Sequence, residues 1–457
     1  MFKQLTRKKH TTVFVFSCLI LAAILAVPQH VAAEGSASLT GNGNGFRANL
    51  EWRTSTYGDN VLYRRTLLKV HAQAGEYILL GSSAIDVLPG EVGKKSPGDI
   101  GKKNNGDILV FNPGLVTGPI GKEIVPTSTP SFSCLQQRRE TGNTAQGRIT
   151  SREQELRGPQ TIANVGQALP GTDNPRGYIP CYYRAPENGI YDVVFFGPAG
   201  GNADTQLLPS GVIGDNPANF NADQETSVAA WDVTVRRDIG SLERNPGRLF
   251  AYYLAMFTGG NGRPVNGMVY VVTRDGYRYA VDLRGMDPNG FVLYANQVGF
   301  LDIDGTPLYR DVLADPTMSF KDQNQLVRLQ GNVSLAPPDY PIFFEQPAEE
   351  TLQAIGIPLV PTPPEVKDFT FTGPRGDNTT TIGRGGTFSF VSNVGGVFEI
   401  VVSRDGRNFD PADARNRVLR GVRATSGTTS VEWDGLDNTG EPFPTGTNYL
   451  ARTSIHG

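Results

Sequence analysis

The sequence predicts an all-β chain: two β-sandwich or jelly-roll-like domains followed by a further β-sandwich. Three observations carry this. Apolar residues recur in short runs that alternate with polar ones, the period-two pattern of half-buried strands. Glycine and proline, 54 and 32 of 457 residues, punctuate the chain too often for long helices. The length itself exceeds what one hydrophobic core normally organises, so several domains are expected.

Residues 1–33 read as a secretory signal peptide. A basic head (Lys3, Arg7, Lys8, Lys9) precedes an apolar run from Val13 to Val27 and a small-residue exit, Val31-Ala32-Ala33. Cleavage after Ala33 is expected, because the run is shorter than the ~20 residues that span a bilayer comfortably; an uncleaved anchor centred on Leu19–Val27 is the alternative. Cys18 lies inside the apolar run, which argues against lipid attachment there. The mature chain is therefore expected outside the cytoplasm, secreted or at the cell surface, touching membrane only through its leader. Without residues 1–33 the chain has 38 Lys and Arg against 45 Asp and Glu, a mildly acidic balance that repels nucleic acid. Two cysteines remain, Cys134 and Cys181, which an oxidising compartment would join as a disulfide. Two buried free thiols are the other reading.

The first domain is assigned to 34–210. Its strands are Ala48–Trp52, Leu67–His71, Tyr77–Gly81 and Asp107–Phe111. Between 114 and 174 large apolar groups thin out, so this stretch is expected to run over the surface, with a short helix near Ser151–Leu156. Two apolar runs within 177–198, separated by Pro186-Glu187-Asn188-Gly189, suggest a hairpin, since Asn and Gly tolerate a left-handed backbone. The segment resembles an aromatic-Pro-Glu-Gly turn of secreted bacterial β-sandwich and jelly-roll modules.

The second domain is assigned to 222–335, with a strand at Ala230–Val235, a long apolar run at Gly247–Phe257, a hairpin at Met268–Asp282 about Asp275-Gly276, and a strand at Phe291–Ala295. Prolines 337, 338, 341, 347, 358, 361, 363 and 364 then mark 336–365 as a linker, because proline lacks a backbone donor and fixes φ; a short helical turn near Glu349–Ala354 interrupts it.

The last domain, 366–457, places Phe388 and Phe390, then Phe398, Ile400 and Val402, then Val431 and Trp433 on single strand faces. Next come Trp433-Asp434-Gly435-Leu436-Asp437-Asn438-Thr439-Gly440 and then Pro444, Gly446 and Tyr449. This order resembles the immunoglobulin-like (Ig-like) domain of the flagellar hook-capping protein family, also found at the ends of many secreted bacterial proteins. The resemblance implies an Ig-like β-sandwich acting as a folded spacer or display module. It also favours a chain that is part of a longer surface protein over a released one.

The chemistry on offer is sparse. Outside the leader the histidines are His71 and His456, so a Ser-His-Asp triad would need one of them. With Cys134 and Cys181 paired, zinc and thiol chemistry lose their ligands. No metal site and no catalytic residue is therefore assigned. Asp302-Ile303-Asp304-Gly305 and Asp434–Asp437 read first as glycine turns; Ca2+ is the sharper alternative, although neither has EF-hand spacing. Arg375-Gly376-Asp377, an integrin-type tripeptide, sits in a loop rich in Gly, Asn and Thr, where flexibility alone accounts for it. The glycine clusters at 41–45, 259–262 and 383–386 open no predicted helix, so they read as loops rather than phosphate cradles.

Exposed tyrosines can stack on sugar rings. Tyr182, Tyr183, Tyr252 and Tyr253 are the candidates, with Tyr270 beside them, and core packing is the competing reading. The expected role is a non-enzymatic, adhesion-type surface or extracellular protein that presents β-domains to glycans or other extracellular proteins. Two alternatives stand beside it: a glycan-binding accessory part of a secreted hydrolase, and carboxylate catalysis within residues 226–334.

Overall fold

The computed structural model describes residues 34–40, 45–57, 61–85, 106–164, 167–168, 177–204, 210–221, 224–287, 289–302, 305–308, 334–423, 425–446 and 448–456. The expected signal peptide, 1–33, lies outside them. The described chain is mostly β, with four short helices.

An eight-stranded antiparallel sheet organises residues 68–343. Its spatial order is Arg278–Asp282, Met268–Val272, Ile342–Phe343, Leu249–Ala251, Leu68–Ala72, Gly189–Phe196, Asp107–Phe111 and Phe132–Ser133. Neighbours in space thus come from distant parts of the chain. Strands Asn49–Tyr57 and Tyr253–Phe257 also pair, in a second sheet, and Tyr77–Ser82 pairs with Trp231–Arg236 in a third. The core follows suit: Trp231 packs between Phe195 and Phe344, at centroid distances of 5.7 and 5.2 Å. The boundary expected between 210 and 222 therefore divides neither sheet nor core. The described residues of 34–210 and 222–335 form one interleaved body, because strands of each half pair with strands of the other.

The central sheet is covered on both faces. Ile108, Val110, Val193 and Phe195 enter the main core, while Leu109, Phe111, Val194 and Phe196 join Trp52 and Leu67 on the opposite side. Alternation of side-chain direction sends successive residues to different cores, which is why these strands read as unbroken apolar runs.

Three further expectations are corrected. The runs about Pro186-Glu187-Asn188-Gly189 are no hairpin: Cys181–Arg184 pairs with Tyr77–Ser82, whereas Gly189–Phe196 pairs with Leu68–Ala72 and Asp107–Phe111. The turn passes the chain from one sheet to another: Gly189–Phe196, apolar on two faces, takes a central place in its sheet, while Cys181–Arg184 takes an edge. It is fixed by the Tyr191 hydroxyl, which donates to the Glu187 carbonyl (2.6 Å), and by Asn188, whose side chain accepts from Ala74 N (2.7 Å).

The 114–174 stretch does not merely cross the surface. It contributes the helix Cys134–Thr141 as well as the helix Arg152–Arg157, and it buries charge in place of apolar bulk. Glu155 is 1% exposed and accepts from both Arg47 Nη atoms (2.6 and 2.5 Å) and from Ser36 Oγ (2.5 Å). Although burial pushes this carboxyl up, the Arg47 and Arg152 guanidiniums and Ser36 hold it below the ordinary range.

Nor is 336–365 a free spacer. Ile342 and Phe343 form a strand between Leu249–Ala251 and Met268–Val272, the helix Glu349–Ala354 buries Leu352, and Ile357 completes that cluster. The ladder tolerates this because its two paired residues are not proline; Pro341 still supplies a carbonyl to Val272 N (3.1 Å). Beneath the helix, His71 is buried beside Arg248 (Nδ1 to Nη1, 3.2 Å), which itself meets Glu350 at 2.6 Å. Burial and the neighbouring Arg248 push the imidazole below its usual pKa.

The Met268–Asp282 hairpin forms with Val272 opposite Arg278. The Gly247–Phe257 run splits at Tyr252 into two strands that enter different sheets. At the C-terminus, sheet Val366–Thr372, Gly386–Ser392, Gly427–Trp433 faces sheet Arg417–Arg423, Gly396–Ser403, Leu450–His456. Phe388, Phe390, Phe398, Ile400, Val402 and Trp433 meet in a separate core between them.

Candidate functional site

A groove of about 600 Å³ opens where the helix Cys134–Thr141 lies against the strand Cys181–Arg184, with Ser128–Phe132 as its far wall. Its position begins with sequence. Ser133 and Gln136 have capping-box spacing, and Ser133 Oγ accepts from Gln136 N at 3.1 Å, starting the helix at Cys134. Gly142, with φ +68°, ends it. Asp107, at the head of its strand, reaches under the first turn: it accepts from Leu135 N (2.8 Å) and from Ser133 Oγ (2.7 Å). Burial raises the Asp107 pKa to about 6, against the pull of these donors and Arg139.

Two bonds then hold the helix to the sheet. Cys134 and Cys181 form the disulfide, with Cα atoms 5.5 Å apart. The side chain of Gln137 exchanges two 3.0 Å hydrogen bonds with the backbone of Tyr182, so that it stands in for a further strand on an otherwise open sheet edge. Gln146 donates to Gln137 Oε1 at 3.0 Å and fixes its orientation.

Tyr182 and Tyr183, both half-buried, bound the groove. Tyr183 packs on Phe132 (5.5 Å) and Tyr191 (6.2 Å) and donates to Asn112 Oδ1 (2.6 Å). Tyr182 meets Tyr77 edge-on at 6.5 Å. The rings are thereby fixed before any ligand arrives. Amides from Gln136 and Gln137, hydroxyls from Ser128 and Ser131, and the charged side chains of Arg139 and Glu140 complete a polar lining.

The four tyrosines do not share one platform. Tyr253 is buried in the core, where its hydroxyl donates to Glu123 Oε2 (2.7 Å), and Tyr252 packs edge-on against Phe250 at 5.9 Å. Tyr270 is half-buried in the same cluster as Tyr252. Tyr252 sits at the break between the strands Leu249–Ala251 and Tyr253–Phe257, where the chain passes from one sheet to another, so the two rings part there. No sequence pattern marks Asp107, Asn112 or Gln137 as part of a site. The Ser133–Gln136 spacing was the available signal for the helix that carries Gln137.

The C-terminal turn uses its carboxylates internally. Asp437 Oδ1 accepts from Thr439 N (2.9 Å), Thr439 Oγ1 (2.6 Å) and Glu441 N (3.0 Å), and its Oδ2 pairs with Arg404 at 2.8 Å. Asp434 accepts from Leu436 N (3.0 Å) and pairs with Arg417 (3.1 Å). Gly435, Gly440 and Gly446 have φ near +80°, which the tight reversals require. Trp433 Nε1 donates to Leu436 O (2.9 Å), and the Tyr449 hydroxyl to Pro444 O. Among the described residues no three His, Cys, Asp or Glu converge as a metal site. Ile303 and Asp304 of the other acidic turn lie outside those residues. Arg375-Gly376-Asp377 forms an exposed turn in which Asp377 accepts from Thr379.

No protein-family model matches the chain, and neither a curated protein nor a solved structure matches it.

Proposed function

We propose that the chain is an exported, non-enzymatic binding protein of the cell surface or extracellular space, in which a β-body presents the Tyr182–Tyr183 groove and a C-terminal Ig-like module serves display. The observation that carries this reading is the groove's construction: fixed aromatic rings and amides on a helix clamped by a disulfide. Such a lining, with Arg139 and Glu140 beside the rings and amides, suits a ligand with apolar faces and polar edges, as glycans have. A disulfide at the site fits an oxidising compartment. The same groove supports the alternative of a glycan-binding accessory part of a hydrolase.

The test is a glycan array run beside a turnover assay on the polysaccharides that bind. Binding without hydrolysis, weakened about tenfold or more by Tyr182→Ala, is the expected result; a tenfold change is 1.4 kcal/mol of contact energy. Hydrolysis abolished by one Asp or Glu substitution would replace this reading with an enzymatic one.

A further inference from the structure

The C-terminal sandwich carries a second cleft that a spacer does not need. It opens at one end between the edge strands 366–372 and 450–456, and its volume, about 700 Å³, lies in the range of small-ligand pockets. Buried Phe388, Trp433 and Phe443 form the floor; half-buried Phe369, Phe371 and Tyr449 form the walls. These rings brace one another. Phe371 contacts Phe388 at 4.9 Å and Trp433 at 6.1 Å, and Phe443 meets Tyr449 edge-on at 4.9 Å. A ligand arriving here finds the aromatic walls already ordered, which lowers the entropic cost of binding.

The rim is hydroxyl and amide: Thr381, Thr445 and Asn448 are exposed there. No Asp, Glu, Lys, Arg or His is among the described residues that line the cleft. This stands out in a module whose other surfaces hold ion pairs such as Arg420–Glu399 and Arg417–Asp434. A ligand carrying formal charge would lose hydration on entry with no counter-charge to replace it.

An added peptide strand is the competing occupant, because both flanking strands are sheet edges. The 366–372 edge is unsuited to it. Its register shifts between Lys367 and Thr370, and Asp368 adopts φ +53°, so the outer row of donors and acceptors is broken where a new strand would have to pair. Neutral sugars need no such row. A pyranose offers a C–H face to the negative face of an aromatic ring and hydroxyls to Thr and Asn.

We infer that this cleft binds a neutral saccharide. This goes beyond the groove of the body, since the two sites share no residue.

The experiment titrates the full chain, by calorimetry and ligand-observed NMR, with neutral tetrasaccharides of glucose, xylose, mannose and N-acetylglucosamine, with sulfated and uronate counterparts, and with an alternating Val/Thr peptide. At least one neutral sugar should bind saturably and the charged ones should not. Tyr449→Ala should weaken binding about tenfold or more. Asn448→Ala, at an exposed position, should weaken it with the melting temperature unchanged, and Tyr182→Ala should leave it intact. Four results would overturn the inference: no neutral sugar bound at millimolar concentration, binding indifferent to both cleft variants, binding lost only in Tyr182→Ala, or capture of the peptide instead of sugars. The third locates binding in the body and leaves the reading of that groove standing.

Discussion

Single residues set the pH behaviour of the body. Asp232 is buried, accepts from the Tyr178 hydroxyl (2.5 Å) and from Thr234 Oγ1 (3.1 Å), and has its pKa raised to about 7, chiefly by burial. Glu34, buried against Gly247 N (2.6 Å), is raised to about 8 by burial and by Glu345. A carboxyl whose folded pKa exceeds its unfolded value gives stability that is complete below the unfolded pKa and lost as pH rises through the folded one. The melting temperature should therefore fall between about pH 4 and pH 8, and Asp232→Asn should flatten the part of that slope between pH 4 and 7. A steeper slope in the variant would contradict the assignment. Gly147 acts by sterics instead. Its φ is +72°, and a Cβ there would strike both sulfurs of the disulfide, so Gly147→Ala should cost about 2–4 kcal/mol in denaturant unfolding. None of this was legible in the sequence: Asp232 reads as a polar residue within a strand and Gly147 as one loop glycine among many, because burial and contact are tertiary facts.

Elements were more legible, and unevenly so. Asp107–Phe111, an unbroken apolar run, and the Met268–Asp282 hairpin, an alternating one, form where they were expected, since local pattern and tertiary partner agree there. The helix at Arg152–Arg157 was expected, whereas Cys134–Thr141 was not, although Ser133–Gln136 and Ser151–Gln154 have the same capping spacing. For the 189–196 strand, proximity in sequence favours a hairpin, but two apolar faces demand a central place in a sheet. Of the candidate groove, the disulfide and two tyrosines could be foreseen; the Gln137 bridge could not, because glutamine at that position looks like any exposed helix residue. At this scale the disulfide closes a separation of 47 residues, so replacing Cys134 and Cys181 by Ser should cost about 4 kcal/mol, read as a lower midpoint in urea. Gln137→Ala should cost about 1 kcal/mol more softly, with faster amide exchange along 181–184.

At the scale of the whole molecule two cores matter: the body through about residue 357, and the C-terminal sandwich from 366. Between them Val360 is 79% exposed, so limited proteolysis should cut near 358–365 and release two resistant pieces. A cut that instead dissolved either piece would show that they depend on each other. A chain stopped at residue 336 should yield no stable body at all, because Ile342 and Phe343 join Leu249–Ala251 to Met268–Val272.

That two-residue keystone also sets an order of events. The chain emerges from its N-terminus, so the partners on either side of the keystone are out about seventy and ninety residues before it arrives. During that interval both present bare edges, which invite neighbouring chains as readily as their own. The molecule is thus most vulnerable late in its emergence, when it is nearly whole, and a chaperone that shields it must hold on until the final sliver of the sheet has slid home.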